Sequence, residues 1–309
     1  MVRDAIQARL DPDLAIRILS TRTLHYTADA SPDDDRPPHV RAASGLAFTG
    51  GRLVVIQDDA AFIGTVARDE VSAISLPRGV GGRRRFEVGI GNKHDKLDLE
   101  ACVAIDDELW ALGSGSTEGR ERIAVIGYTT RIVDAHALYR RIRDELGHAI
   151  NLEGVASVGE QLWLFHRGNT GPGDRGPAVV KFDRAAFAAW LAGIAAVPAV
   201  ASSVAYDLGH VDGVALGFTD AIAVGPRVFY LAAAEASPNA IDDGHVLGSQ
   251  LGVIRNDVRA TALSHDNAPL KAEGLAFDPA DPRRAWVAID PDDISRPAQL
   301  LEIELVGPW

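Results

Sequence analysis

The 309-residue sequence contains one cysteine, Cys102, which rules out an internal disulfide framework and any thiolate-based zinc site. It has no stretch of about 18 apolar residues. Its opening run, "MVRDAIQARLDPDLAIRI", has no apolar segment of the kind a secretory signal needs. A soluble, cytoplasmic protein is the expectation. Gly-x-Ser-x-Gly, a phosphate loop and a dinucleotide fingerprint between strand and helix are all missing, and "GSGS" at 113–116 ends a strand with no helix after it. Lysine is scarce: only residues 93, 96, 181 and 271 among the 31 basic residues, a pattern that genomic base composition produces. Positive charge is in deficit overall, and a formal net charge of −12 argues against general affinity for a nucleic-acid backbone. The chain is nevertheless 47% hydrophobic, enough to bury a sizeable core.

What the sequence does have is repetition. Five segments share one plan: "SGLAFTGGRLVVIQDD" from Ser44, "EACVAIDDELWALGSGS" from Glu100, "EGVASVGEQLWLFHRGN" from Glu153, "DAIAVGPRVFYLAAAEAS" from Asp220 and "EGLAFDPADPRRAWVAIDPDD" from Glu273. Each has a polar lead residue, a small residue, a short apolar strand, a turn and a second apolar strand. Their starts lie 56, 53, 67 and 53 residues apart, and a period of this kind marks a repeat architecture. The rest of each period holds two more strands, except the fifth, which supplies only "AQLLEIEL". Its missing strand is available at the other terminus, in "LAIRILSTRTL" (14–24). The pattern predicts an all-β chain, a five-bladed β-propeller of four-stranded blades over residues 1–309, with the last blade closed by the N-terminal strand. "DAHALYRRIRDEL" (134–146), with an Asp at its start, and "DRAAFAAWLAGIAAV" (183–197) break the strand pattern and read as two peripheral helices.

In a propeller the first strand of each blade lines a central tunnel, so the lead residues Ser44, Glu100, Glu153, Asp220 and Glu273 form a ring. Four carboxylates in a confined channel repel one another unless a cation compensates. Calcium, which accepts six to eight oxygens in irregular geometry, suits such a ring better than magnesium or zinc. Thr219, beside Asp220, is an alternative ligand. Carboxylates hydrogen-bonded to backbone amides at strand starts are the competing explanation for any single member.

This pattern resembles the calcium-activated nucleotidase family, the soluble apyrases, in order from about residue 40 to 278. The resemblance implies a five-bladed propeller with calcium in its tunnel. It implies ligands at Ser44, Glu100, Glu153, the Thr219–Asp220 pair and Glu273. More distantly the Glu-Gly-Leu-Ala motif is similar to phytase-like esterase domains and calcium-dependent lactonases. The N-terminal strand departs from the nucleotidase pattern, with Ser20, Thr21 and Arg22 where that family carries acids. The resemblance therefore bears on fold and metal more than on nucleotide hydrolysis.

The ends of the second strands should share a face with the lead residues, and they carry Asp58, Asp59, Ser114, Ser116, Arg167, Asn169, Glu235, Asp290 and Asp292. Arg167 matches a nucleotidase arginine and suits a bidentate grip on carboxylate or phosphate; a salt bridge to Asp58 or Asp290 is the alternative. A histidine precedes each lead residue, at 39, 94, 148, 210 and 265, and His94 and His148 are the candidate general bases. "GRRR" (82–85) reads as a solvated turn. A calcium-dependent hydrolase of a small ester, lactone or phosphate-containing substrate is the leading expectation. A non-catalytic propeller with structural calcium, binding a protein or metabolite, is its rival. No nucleic-acid or membrane partner is expected, and the chain is expected to be a monomer.

Overall fold

Short apolar runs separated by turns rich in Gly, Asp and Pro fold into hairpins, and hairpins account for nearly all the regular structure. The computed structural model describes residues 5–171, 173–237, 244–266 and 268–309. Its strands are accompanied by two α-helices, His136–Leu146 and Arg184–Leu191, and by short 3-10 turns. None of the described helices is long and apolar enough to cross a membrane. The chain divides into two compact units, one of Arg17–Asp134 with Glu273–Glu304, the other of Met1–Ile16, Ala135–Ala272 and Leu305–Trp309.

The unit containing Arg17–Asp134 is built on three four-stranded sheets. Ala43–Thr49, Arg52–Gln57, Phe62–Ala67 and Glu70–Ser75 form one antiparallel meander. Leu99–Ile105, Glu108–Gly113, Arg122–Ile126 and Thr130–Asp134 form a second. The third runs Ala15–Thr23, Gln299–Val306, Arg284–Ile289, Ala272–Phe277, so the N-terminal strand completes the sheet made by the last strands, the pairing the sequence predicts. Ser20 Oγ donates to Glu302 Oε2 at 3.1 Å across that seam, and Arg17 pairs with Glu304. Leu46, Val55, Ala276 and Leu300 share one buried cluster, and Ile56, Ile63, Phe86, Cys102 and Leu109 share another. Cys102 serves there as a small apolar side chain. Each buried Val, Leu, Ile or Phe contributes about 1.5–3 kcal/mol relative to exposure.

The other unit is organised by one larger sheet. It contains the meander Leu152–Val158, Gln161–His166, Ala178–Asp183, Val200–Asp207 and the meander Gly217–Val224, Arg227–Ala236, His245–Ile254, Val258–His265. Ile6–Leu10, a strand not anticipated from the sequence, joins them. It lies parallel to both outer strands, with Ile6 opposite Tyr206 and Ala8 opposite Val258. Asp11 extends the contact, its backbone N–H donating to Ala260 O and its carboxylate accepting from Arg259 at 2.9 Å. The strand fills two open edges at once, which removes unpaired backbone groups rather than burying an apolar face. Its mixed sequence, with Leu10 71% exposed, explains why it went unread.

Both helices are shorter than the sequence suggests. Asp134 ends a strand and pairs with Arg122, so the first helix starts two residues later, without a side-chain cap, and closes on Gly147 in the left-handed conformation. Asp183 does cap the second helix, accepting from Ala186 N–H at 2.7 Å, but that helix stops at Leu191 and leaves Ile194 exposed. The face carrying Phe187 and Leu191 is buried, with Phe187 stacked edge-on against Phe182 and Trp190.

The arginine run is an internal anchor as well as a turn. Asp35 accepts from the backbone N–H of Arg84 (2.9 Å) and Arg85 (3.1 Å) and pairs with the guanidinium groups of Arg83 (3.2 Å) and Arg85 (3.0 Å). Burial alone would raise this carboxyl, but the amides of Arg84 and Arg85 and the Arg85 guanidinium outweigh it and hold it below its ordinary 3.8. A depressed carboxyl contributes stability that is present above the unfolded value and lost as pH falls through the folded one. Asp35→Asn should therefore cost about 1–3 kcal/mol at neutral pH. Urea unfolding should show that difference disappearing in acid below the ordinary carboxylate range; a difference that persists there would mean the charge is not the cause.

Candidate functional site

Four strands, each the first of its four-stranded meander, carry the same irregularity at the same place. Their pairing register jumps between Ala43 and Gly45, Leu99 and Ala101, Leu152 and Gly154, and Phe218 and Asp220. Ser44, Glu100, Glu153 and Thr219 are thus the extra residues of four β-bulges, which re-aim a side chain out of the strand's two-residue alternation. Register separates Thr219 from Asp220. Thr219 corresponds to Ser44, Glu100 and Glu153, while Asp220 corresponds to Gly45, Ala101 and Gly154. Hydrogen bonding repeats with it: Ser44 Oγ donates to Leu99 O at 2.5 Å and Thr219 Oγ1 to Ala272 O at 2.6 Å, in each case the carbonyl just before the next lead residue. Glu273 occupies the second position of Ala272–Phe277, as Ser44, Glu100 and Glu153 do in theirs. Ser44, Glu153, Thr219, Asp220 and Glu273 are all buried. Asp220 turns one carboxylate oxygen back onto Ala221 N–H at 2.7 Å. The glycine after the lead allows strands to touch: a Cβ on Gly154 would lie 2.9 Å from Ala221 N, and one on Gly274 would lie 3.0 Å from the Gly45 backbone.

Around Glu100 the structure assembles an ionic cluster. One oxygen from each of Asp58, Asp98 and Glu100 lies within 4.8 Å of the others, a grouping able to hold a metal ion. Lys96 Nζ sits 2.5 Å from Asp58 and 2.6 Å from Asp98, and Arg120 Nη1 is 3.2 Å from Asp98. Ser114 donates to Asp98, and Arg120 also donates to Ser116 Oγ at 2.8 Å. Burial alone would lower Lys96, but Asp58, Asp98 and Glu100 more than reverse this and hold it above the usual lysine value. Burial pushes Asp58 up, against the pull of Lys96 and with the help of Asp98. Asp98 would also rise on burial, but Lys96 and Arg120 hold it below the usual range. Beside the cluster, Arg41 pairs with Asp59 at 2.6 Å and Glu87 at 3.6 Å. Burial, opposed by Arg41, pushes Asp59 up to about 7, and its Oδ1 has no hydrogen-bond partner among the described residues. Lys96 and Asp98 were not picked out from the sequence. The available signal was a lysine in an arginine-dominated chain, four residues before a lead glutamate.

In the other unit Glu153 has partners too. Asn151 Nδ2 donates to Glu153 Oε1 at 2.6 Å, and Arg167 Nη1 lies 3.5 Å from the same oxygen while its other terminal nitrogen pairs with Glu235. Within its own unit Arg167 thus takes Glu153 and Glu235 as partners. Of the two candidate bases, His94 is 77% exposed in the 3-10 turn Lys93–Asp95, 3.4 Å from Asp95. His148 is half-buried, its Nδ1 2.6 Å from Ala149 O. Its ring lies 5.0 Å from that of His166, which with Asp174 escaped the sequence reading.

The ionic cluster makes a sharp mutational prediction. Removing one partner of a buried charge network leaves the others uncompensated, which costs about 3–5 kcal/mol. Lys96→Met should show that loss in urea unfolding at pH 7. The loss should shrink toward pH 5 as Asp58 and Asp98, deprived of their cation, take up protons. A variant as stable as the parent at both pH values would mean the ammonium balances no buried charge.

Among solved structures, the chain is similar to glutaminyl cyclase of Myxococcus xanthus, at 8% identity and a TM-score of 0.48 over 99% of this chain and 100% of that one. It is similar also to MPT-4, a mannose phosphorylase from Leishmania mexicana, at 13% identity and a TM-score of 0.48 over 93% and 89% of the two chains. At this level of likeness neither activity transfers to the present chain. No curated protein matches the sequence. A family of unknown function, DUF6929, matches residues 39–305, almost the whole of the repeat region, and the chain belongs to that family.

Proposed function

We propose that this protein is a calcium-dependent hydrolase of a small ester, lactone or phosphate-containing substrate. In this reading the three four-stranded sheets and the two four-stranded runs of the larger sheet are the blades of a five-bladed β-propeller. The observation that carries the proposal is the bulge at Ser44, Glu100, Glu153 and Thr219. A distortion repeated at four equivalent positions, each with a polar oxygen-bearing side chain, points to a shared task.

The donor set fits a hard cation. All the groups are oxygens: the carboxylates of Glu100, Glu153 and Glu273, with the hydroxyls of Ser44 and Thr219. Asp58 and Asp98 stand close to Glu100. Lys96 and Arg120 share the carboxylates around Glu100, and Arg167 those of Glu153 and Glu235. Calcium tolerates such an irregular oxygen set and would polarise an ester or phosphoryl oxygen. Arg167 is the residue suited to grip a carboxylate or phosphate on the substrate. Asp59, with its pKa near 7, and His94 are suited to proton transfer, with His148 as an alternative base. Nucleotide hydrolysis is disfavoured, because Ser20 and Arg22 are spent on structural bonds to Glu302 and to Arg68 O. The rival reading, a binding scaffold with structural calcium, is favoured by the partners Glu100 and Glu153 already have among Lys96, Arg167 and Asn151. A monomer is proposed in either case, acting on a small molecule in the first reading and binding a protein or metabolite in the second.

Calcium titrated into chelator-treated protein should bind at roughly one ion per chain and raise Tm. The stabilisation should reach about 2.7 kcal/mol at a hundredfold excess over Kd. Lactones, aryl esters and nucleoside diphosphates should then be screened with calcium and with chelator. Turnover of a lactone or ester that chelator abolishes, and a Glu100→Gln variant about tenfold weaker for calcium, are the expected results. Unchanged melting with no bound calcium defeats the proposal, whereas calcium binding without turnover selects the scaffold.

A further inference from the structure

Three groups outside the carboxylate sites converge in the unit containing Ala135–Ala272. His166 closes the strand Gln161–His166 and is wholly buried. Its Nδ1 accepts from the Asn151 N–H at 3.0 Å and lies 3.2 Å from the Asn151 carbonyl. Its Nε2 is buried with no hydrogen-bond partner among the described residues, although Asp174 Oδ2 stands 3.4 Å away. Asp174 is fixed by Thr170 N–H and Gly176 N–H, each at 2.7 Å, and by the Thr170 hydroxyl. His148 completes the group. One ligand atom from each of His148, His166 and Asp174 lies within 4.8 Å of the other two.

A buried ring nitrogen without a partner is costly, on the order of 1–3 kcal/mol, and calls for an explanation. The surroundings supply one. The Ala149 carbonyl, 2.6 Å from His148 Nδ1, draws the proton to that nitrogen and leaves Nε2 with a free lone pair. At His166 the Asn151 N–H donates to Nδ1 at 3.0 Å, which leaves the ring proton on Nε2; a metal on Nε2 would move that proton to Nδ1, where the Asn151 carbonyl, 3.2 Å away, can accept it. Metal-bound histidines are commonly oriented by a carbonyl on the far nitrogen. Two imidazoles and one carboxylate make a borderline donor set, suited to zinc and its neighbours and unsuited to calcium. Three protein ligands leave a fourth position for water. His148 also lines a surface cleft with Arg175, Gly176 and Ser202, which gives that position access to solvent.

We propose that His148, His166 and Asp174 form a zinc-class metal site, separate in chemistry from the oxygen-only residues of the calcium proposal and independent of it. The test uses untagged full chain, stripped with chelator and titrated with Zn2+ alone in excess Ca2+, against a chromophoric competitor. One zinc per chain should bind despite the calcium, and Co2+ should give the visible absorption of a four-coordinate site. His148→Gln, at a half-buried position whose loss the fold should tolerate, should weaken zinc by about 100-fold and abolish the cobalt spectrum. Asp174→Asn should weaken zinc similarly, and Glu100→Gln should leave it unchanged. Absence of zinc binding by the folded parent overturns the site, as does His148→Gln binding like the parent or zinc lost from Glu100→Gln instead. If Asp174→Asn fails to fold, His148→Gln alone decides.

Discussion

A single extra residue in the first strand of each of four meanders sets the local character of the structure. Strict two-residue alternation commits every side chain either to the apolar packing or away from it. A bulge breaks that commitment locally, sacrificing ladder regularity to direct a polar group where the pleat would not. The lost bonding is recovered elsewhere: the hydroxyls of Ser44 and Thr219 each take the carbonyl that precedes the next lead residue. Gly154 and Gly274 then let neighbouring inner strands approach more closely than any side chain would permit. Bulge, hydroxyl and glycine form one repeated device.

Electrostatics follows from that geometry. Polar groups turned inward must be balanced in a medium that penalises bare charge. The protein does this with cations of different shape. A compact ammonium, Lys96, fits between the carboxylates of Asp58 and Asp98, whereas the broad fork of Arg167 spans Glu153 and Glu235. In a chain that otherwise favours arginine, the lysine is where a point charge is required. Arg41, held between Asp59 and Glu87, balances its neighbours less completely, and Asp59 is left able to exchange a proton near neutral pH.

The strands and the lead residues were readable because apolar alternation and repetition are properties of local sequence. So was the union of the first long strand with the last, since a period missing one strand must find it at a terminus. Ile6–Leu10 was hidden because it is held by backbone edges, which leave no imprint on side-chain pattern. The equivalence of Thr219 rather than Asp220 to the other lead residues depended on pairing register, which one strand alone does not define. The pairing of His166 with Asp174 and the insertion of Lys96 among carboxylates arise from separate segments meeting. Spacing along the chain carries no direct record of such meetings.

The pairing of Ile6–Leu10 and Ala15–Thr23 also bears on how the protein is made. Ile6–Leu10 needs Val200–Asp207 and Val258–His265 beside it, and Ala15–Thr23 needs Gln299–Val306. During synthesis, therefore, these two strands have no partner until strands far downstream have followed. Contacts so distant in sequence form slowly and leave strand edges uncovered meanwhile. The meanders, each closed within a few dozen residues, can form as they emerge, and Ile6–Leu10 and Ala15–Thr23 dock last, as latches on meanders already folded.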